Sequence, residues 1–343
     1  GATIGNGGTL QAGAAAGGTA FGALSAVTLA DIAGTTLNLN NFDQTIGSLD
    51  GGGATGGNVV LGSGTLTTGG NGADTTFGGA IDGTGALVKV GAGTQVLTGT
   101  STYTGGTTIS AGTLRLGNGG TTGSIVGDVA NSGALEFFRS NDMTFAGAIS
   151  GSGTVRQIGS GLINLTSDSS AFTGATFVEA GTLAVNGSLC GPMNVLSGGR
   201  LQGTGTVCDT TNAGAVAPGN SIGTLTVAGD YTGTNGLLEI ESVLGGDASP
   251  TDLLHVTGNT SGTTDIDVIN LGGAGALTNE GIRIVQVDGT SDGDFALLGD
   301  YVFQGDQAVV GGAFAYRLYQ GSASDPADGD WYLRSALVPV SSP

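Results

Sequence analysis

The sequence predicts an all-β solenoid: a parallel β-helix whose C-terminal part forms a capping region. Three observations carry this. Of 343 residues 71 are Gly, while Lys occurs once and Glu five times, so helix formers are scarce. Short runs of Val, Ile, Leu and Thr broken by Gly, Asn and Ser recur along the chain, the pattern of strands and turns. The third is an internal repeat, in which FGGAIDGTGALVKVGAGTQVLTG (77–99) matches FAGAISGSGTVRQIGSGLINLTS (145–167) at an offset of 68. Hydrophobic residues make up 38%, too many for a disordered chain, and the glycines lack the G-X-Y period of collagen.

Taken in order, residues 1–40 are rich in Gly, Ala and Thr, and the first full repeat follows. Its strand-like pieces are ALVKV, TQVLT, TTIS and TLRL, each bounded by Gly or polar turn residues. The match continues after a one-residue insertion, so that AGTL at 111 corresponds to AGTL at 180. A period of 68 then divides into about three rungs of roughly 22 to 23 residues each. Leu87, Val96, Ile109 and Leu114 are expected to point into a stacked interior, with Thr and Gly facing solvent or turning corners. A rung cannot bury its apolar side alone, and stacking buries it. About fifteen such rungs would stack into a rod on the order of 70 Å long. A β-sandwich also has short strands and turns but leaves the repeat unexplained.

The formal charge is −19, and the carboxylates are uneven: eleven precede residue 216 and sixteen follow. Such a surface repels phosphate backbones, so neither nucleic-acid binding nor docking to anionic membranes is expected. The change in character near Pro218 suggests a boundary, with repeats over 1–215 and a cap over 216–340. No run reaches the roughly 18 apolar residues of a membrane span, and the N-terminus lacks the pattern of a signal peptide. The chain is expected to be a piece of a longer protein, with VPVSSP (338–343) opening a linker.

The segment GTGALVKVGAGTQVLTGTSTYTGGTTISAGTLRL resembles the autotransporter-associated β-strand repeat of bacterial autotransporter passengers, and 151–185 resembles a degenerate copy. NFDQTIGSLDGGGATGGNVVLGSGTLTTGG (41–70) looks like the segment that often precedes it. GGRLQGTGTVCDTTNAGAVAPGNSIGTLTVAGDYT (198–232) is similar to the end of the repeat region. TDLLHVTG, RIVQV, YRLYQG and DGDWYLRS are similar to the C-terminal junction of pertactin-like passengers. The resemblance implies a right-handed parallel β-helix, a C-terminal region that assists folding, and display on a Gram-negative cell surface, with release into the medium an open alternative. The partner of the precursor would be an outer-membrane β-barrel. The function implied is adhesion, to a host-cell surface, a matrix protein or glycan, or another copy of itself. The alternative is a stalk that presents an upstream domain.

Chemistry-bearing residues are few. A Ser-His-Asp arrangement would need His255, the sole histidine, yet it alternates with Leu253, Leu254 and Val256 in a strand-like run. Ser221 in PGNSIG lacks the G-x-S-x-G order. Polysaccharide-cleaving β-helices need grouped carboxylates with basic residues, and Lys89 with arginines 115, 139 and 156 reads as scattered. GGNGADTTF (69–77) nearly fits a calcium-binding nonapeptide, but Thr76 fills the apolar position and the copy is single. DGTSDGD (288–294) reads as a solvated loop. Tyr103 and Phe172 occupy matching repeat positions and are expected to pack beneath a turn. No enzyme activity, cofactor or metal is expected. Cys190 and Cys208 are separated by close to one rung and, in an exported chain, are expected to form a disulfide.

Overall fold

The computed structural model describes residues 2–4, 7–13 and 20–338. The tail expected to open a linker therefore lies, beyond Val338, outside the described residues. Among the described residues every regular element is a strand. The chain divides after Phe177 into two compact units.

The first unit is a parallel β-helix with three faces. On the first face Ala26–Leu29, Ser48–Gly51, Thr75–Phe77, Thr94–Leu97, Thr113–Leu116, Ala134–Phe137 and Thr154–Gln157 stack in parallel. The second begins with Thr9–Gln11, Thr36–Asn38, Asn58–Val60 and Ile81–Asp82. The third holds Gln44–Thr45, Leu66–Thr68, Leu87–Lys89, Thr107–Ile109, Val129–Asn131 and Ile149–Ser150.

Because alternate residues of a strand point to opposite sides, in-register stacking makes columns. Phe77, Leu97, Leu116 and Phe137 lie one above the other and are buried. Leu66, Leu87, Thr107, Val129 and Ile149 form a second interior column. Leu87, Ile109 and Leu114 point inward as expected, whereas Val96 is corrected: it stands in register with Thr76 and Arg115 on the outer side of its strand, and Gln95 and Leu97 take the inward places.

The expected rung length holds before the repeat, where Thr36 stacks on Asn58 and Gln44 on Leu66, each twenty-two residues on, but is corrected within the repeat. Thr94 stacks on Thr113 nineteen residues on, Thr113 on Ala134 twenty-one on, and Ala134 on Thr154 twenty on. Rungs here are thus nearer twenty residues than 22 or 23, and 68 residues make about three and one-third turns rather than three. The two repeat copies consequently differ in azimuth. Thr75–Phe77, Ile81–Asp82 and Leu87–Lys89 occupy the first, second and third faces. Their counterparts Met143–Phe145, Ile149–Ser150 and Thr154–Gln157 occupy the second, third and first.

What the copies share is the interior and the corners. Phe77 and Phe145, Ile81 and Ile149, Leu97 and Leu165 are equivalent and buried, whereas outward Val88 and Thr108 become Arg156 and Phe177. Gly83 and its equivalent Gly151 turn corners at φ of 121° and 99°. A Cβ on either would fall within 2.6 Å of a backbone oxygen of the rung below, so the corner needs glycine for both conformation and space.

In the second unit rungs first shorten, with Leu183 on Leu201 eighteen residues on and Arg200 on Ala215 fifteen on. They then lengthen. Tyr231–Ser242 is one strand of 12 residues that pairs with Thr210–Asn212 and then with Ala215–Pro218, so two faces merge. The merger passes through a register shift between Thr234 and Gly236, where Asn235 has φ of 59°. Thr260–Asn270 and Asp294–Leu298 follow the merged strand. The remaining face runs Ser188–Leu189, Thr206–Val207, Thr224–Val227, Leu253–Val256 and Ile282–Val287. There the parallel order stops. Trp331–Leu337 adds antiparallel to Ile282–Val287, followed by Phe314–Gln320, Asp306–Gly311 and Tyr301–Phe303. This antiparallel meander covers an edge that would otherwise accept another parallel strand.

Candidate functional site

The residues considered for catalysis are held in separate places. His255 lies on Leu253–Val256, with Nε2 2.9 Å from Asp288 Oδ2 and 3.2 Å from Gln286 Nε2. Hydrogen bonds from Gln286 and His255 hold the Asp288 carboxyl below its usual range. Ser221 instead lines a cleft with Arg200 and Asp252. Among the described residues, the hydrogen-bond partners of His255 are Asp288 and Gln286, with no serine.

The aspartates of the turns have a different task. Asp74 Oδ1, in the segment resembling a calcium repeat, accepts the Thr94 N–H of the next rung at 2.6 Å. Asp43 accepts from Thr65 at 2.7 Å, Asp209 from Asp230 at 2.9 Å and Asp230 from Asn259 at 2.8 Å. At a corner the strand starts with an unpaired N–H, and a carboxylate on the preceding rung satisfies it. Thr76 is exposed on Thr75–Phe77, and within 288–294 Asp288 is engaged with His255. Among the described residues no three His, Cys, Asp or Glu side chains are grouped as metal ligands.

The scattered reading of the basic residues is corrected. Arg115, Glu136 and Arg156 stand in register on consecutive rungs, facing outward. Arg115 Nε is 2.7 Å and Arg156 Nε 3.8 Å from the Glu136 carboxylate, and the guanidinium groups lie over Phe138 and Phe177. Arg139 is buried and donates to the carbonyls of Gly123 and Thr121. Lys89 is also fully buried, between Thr68 and Ile109 in an interior column. Its Nζ donates to the carbonyls of Val90 (2.8 Å), Gly91 (2.9 Å) and Ala111 (3.3 Å). Burial lowers the ammonium's pKa, and the charge of Asp74 opposes that. Tyr103 and Phe172 are buried in equivalent places, with the Tyr103 hydroxyl 2.6 Å from Thr107 Oγ1.

Cys190 and Cys208 extend the register in which Ser188 and Leu189 stack on Thr206 and Val207. The structure joins them, with Cα atoms 4.8 Å apart. Thiol labelling of the denatured protein without reductant is expected to find no free thiol. Prior reduction should lower stability by about 3 kcal/mol in the loop-entropy account.

The outer surface of the second unit carries a trough that sequence reading did not find. Arg200, Ala215, Leu237 and Asp265 are in register on neighbouring strands, as are Gln202 and Ala217. Because Ala215 and Ala217 are small, Arg200 reaches over their strand and forms an ion pair with Glu239. The pair divides the trough into two adjoining clefts. One, of about 90 Å³, is closed by the turn Pro218–Ser221 and by Asp252. The other, of about 450 Å³, has a floor of Gly198, Gly199, Gly214 and Gly236 with Asn235 and Asp265 at its edge.

Asp252 is buried and accepts the N–H of Gly223 and of Glu241, each at 2.8 Å. Burial raises its pKa to about 6, against those bonds; Glu241 adds to the rise and Arg200 opposes it. A raised carboxyl pKa means that the folded state holds the proton more tightly than the unfolded chain. Its stabilising contribution is therefore full below about pH 4 and lost as pH rises through about 6, on the order of 2–3 kcal/mol. Urea midpoints at pH 4.5 and 8 should differ between wild type and Asp252→Asn by that pH-dependent increment. Parallel pH profiles would remove Asp252 as its source.

Residues 200–318 match the family model of Autochaperone Domain Type 1, and 87–116 and 155–185 match the Passenger-associated-transport-repeat. Among curated proteins the chain is similar to Adhesin BmaC autotransporter of Brucella suis biovar 1 (strain 1330), 43% identical over 313 residues, or 85% of this chain and 9% of that protein. It is 34% identical over 223 residues to Uncharacterized protein YuaQ of Escherichia coli (strain K12), covering 62% of the chain and 15% of YuaQ. Autotransporter adhesin AIDA-I of Escherichia coli is 44% identical over 115 residues, 33% of the chain and 8% of AIDA-I. The chain thus spans less than a tenth of BmaC. The repeats fall on the three-faced unit and the first eight residues of the second, and the autochaperone match covers most of the trough, the merged strands and most of the meander. The chain is a segment of an autotransporter passenger, displayed at the surface of a Gram-negative bacterium and built of passenger-associated-transport repeats that lead into a type 1 autochaperone domain.

Proposed function

We propose that this segment is adhesive, presenting a β-helix surface to a host-cell component, a matrix protein or glycan, or another copy of itself, without enzymatic activity. The observation that carries the reading is the 43% identity over 85% of the chain to a protein named as an adhesin. The residues agree with it: His255 and Ser221 belong to different surroundings, and the corner aspartates cap neighbouring rungs. Between the two repeat copies buried Phe77, Ile81 and Leu97 recur as Phe145, Ile149 and Leu165, while outward Val88 and Thr108 become Arg156 and Phe177. Residues 216–340 act as the cap that assists folding, of which 339 and 340 lie outside the described residues. The match to an autochaperone domain also supports a second reading, in which the segment is chiefly a stalk and folding aid. Incubation of the 343-residue chain with cultured host cells and immobilised matrix proteins separates the two. Saturable binding is expected, and a flat response on every surface would leave the stalk.

A further inference from the structure

We propose that the divided trough on the second unit binds a neutral oligosaccharide. The inference rests on the adhesive reading and gives it a ligand class.

The trough walls carry the groups that sugar hydroxyls pair with. Arg200, Gln202, Asn220, Glu239 and Glu241 have planar ends that each offer two donors, two acceptors or one of each, and Ser221 adds a hydroxyl. A pair of adjacent hydroxyls on a pyranose fits such a fork in a bidentate way, as carboxylates and guanidinium groups fit one another. These side chains are ordered before any ligand arrives. Arg200 Nε donates to Gln202 Oε1 at 3.3 Å, Gln202 Nε2 to Asn220 Oδ1 at 3.4 Å, and Asn220 Nδ2 to Asn186 Oδ1 at 2.7 Å. Such ordering lowers the entropic cost of binding.

Shape and charge narrow the ligand further. The smaller cleft accepts the edge of one ring, and the larger one continues past the Arg200–Glu239 pair over glycine, where backbone lies close to the surface. An elongated ligand can therefore occupy both, with Leu237 and Ile269 beside it for the apolar faces of the rings. Glu239, Glu241, Asp252 and Asp265 outnumber Arg200 in the walls. Sialylated, uronate-bearing or sulfated glycans would meet a net negative field.

The test is a printed array of neutral, sialylated and sulfated oligosaccharides probed with the full chain, alongside cell binding. Neutral glycans are expected to bind and acidic ones to stay blank. Gln202→Ala and, separately, Ser221→Trp on the exposed turn should each weaken the neutral binding at least tenfold, with circular dichroism unchanged. Either variant alone suffices if the other misfolds. Binding of acidic glycans only, neutral binding indifferent to both variants, or displacement by a lysine-rich peptide but by no sugar would each overturn the proposal. A blank array with intact cell binding overturns the trough and leaves the adhesive reading standing. Loss of both signals in the wild type overturns both.

Discussion

Trp331→Ala is expected to lower the unfolding free energy by about 3–5 kcal/mol, as large aromatic truncations in packed cores do. Trp331 opens the antiparallel strand that pairs with Ile282–Val287 and Phe314–Gln320. Its ring meets Phe295 edge-on at 5.1 Å, Phe295 stacks on Tyr231 at 6.1 Å, and its Nε1–H donates to Ser291 Oγ at 3.2 Å. One side chain thus ties the meander to Asp294–Leu298, which carries Phe295, and through it to Tyr231 on the 12-residue strand. Its removal leaves a cavity where the direction of strand pairing reverses. Urea unfolding followed by far-ultraviolet circular dichroism measures the loss, since the variant has no tryptophan to report by fluorescence. A loss below about 1 kcal/mol would show that the meander is held without the aromatic stack. If the autochaperone region nucleates the rungs, refolding of this variant should also slow.

Lys89→Met should cost about 2–4 kcal/mol, whereas Lys89→Gln should cost less than about 1 kcal/mol. The contrast follows from the second repeat. Gln157 is the equivalent of Lys89, is equally buried, and its Nε2 donates to the carbonyls of Gly159 and Gly161, each at 2.9 Å. Asn131 and Asn212 do related work at other corners, each accepting the N–H two residues on and donating to a carbonyl of the next rung. A tight corner turns its carbonyls inward, and an inward polar side chain at the end of the strand satisfies them. Methionine fills the volume but leaves three oxygens without their donor. Equal thermal midpoints for the methionine and glutamine variants would mean that water replaces the ammonium.

The parallel β-helix, the turn glycines and the buried apolar columns were legible in the sequence because they follow from strand alternation and from the repeat itself. The rung length was not. A repeat gives the length of the duplicated segment, and only hydrogen-bond register shows how many turns it makes; Thr94 on Thr113 and Ala134 on Thr154 settle that. Lys89 illustrates a second limit. In the sequence it was a lone cation, although its equivalence to Gln157 was available and hinted at a shared donor role. The groupings of Arg115 with Arg156 and of Arg200 with Asp252 join residues 41 and 52 positions apart. Their assembly depends on uneven rung lengths, which no local pattern encodes.

The one-third turn left over between repeat copies makes this solenoid behave like an indexed shaft. Duplicating or deleting one whole 68-residue period keeps its inward residues inward, so the core tolerates the change. Yet everything on one side of the event is turned by about 120° relative to the other, and three copies are needed to restore the original aim. Variation in repeat number is then more than variation in reach. A lineage can re-point an existing surface toward a new neighbour by recombination alone, before any outward-facing residue has changed.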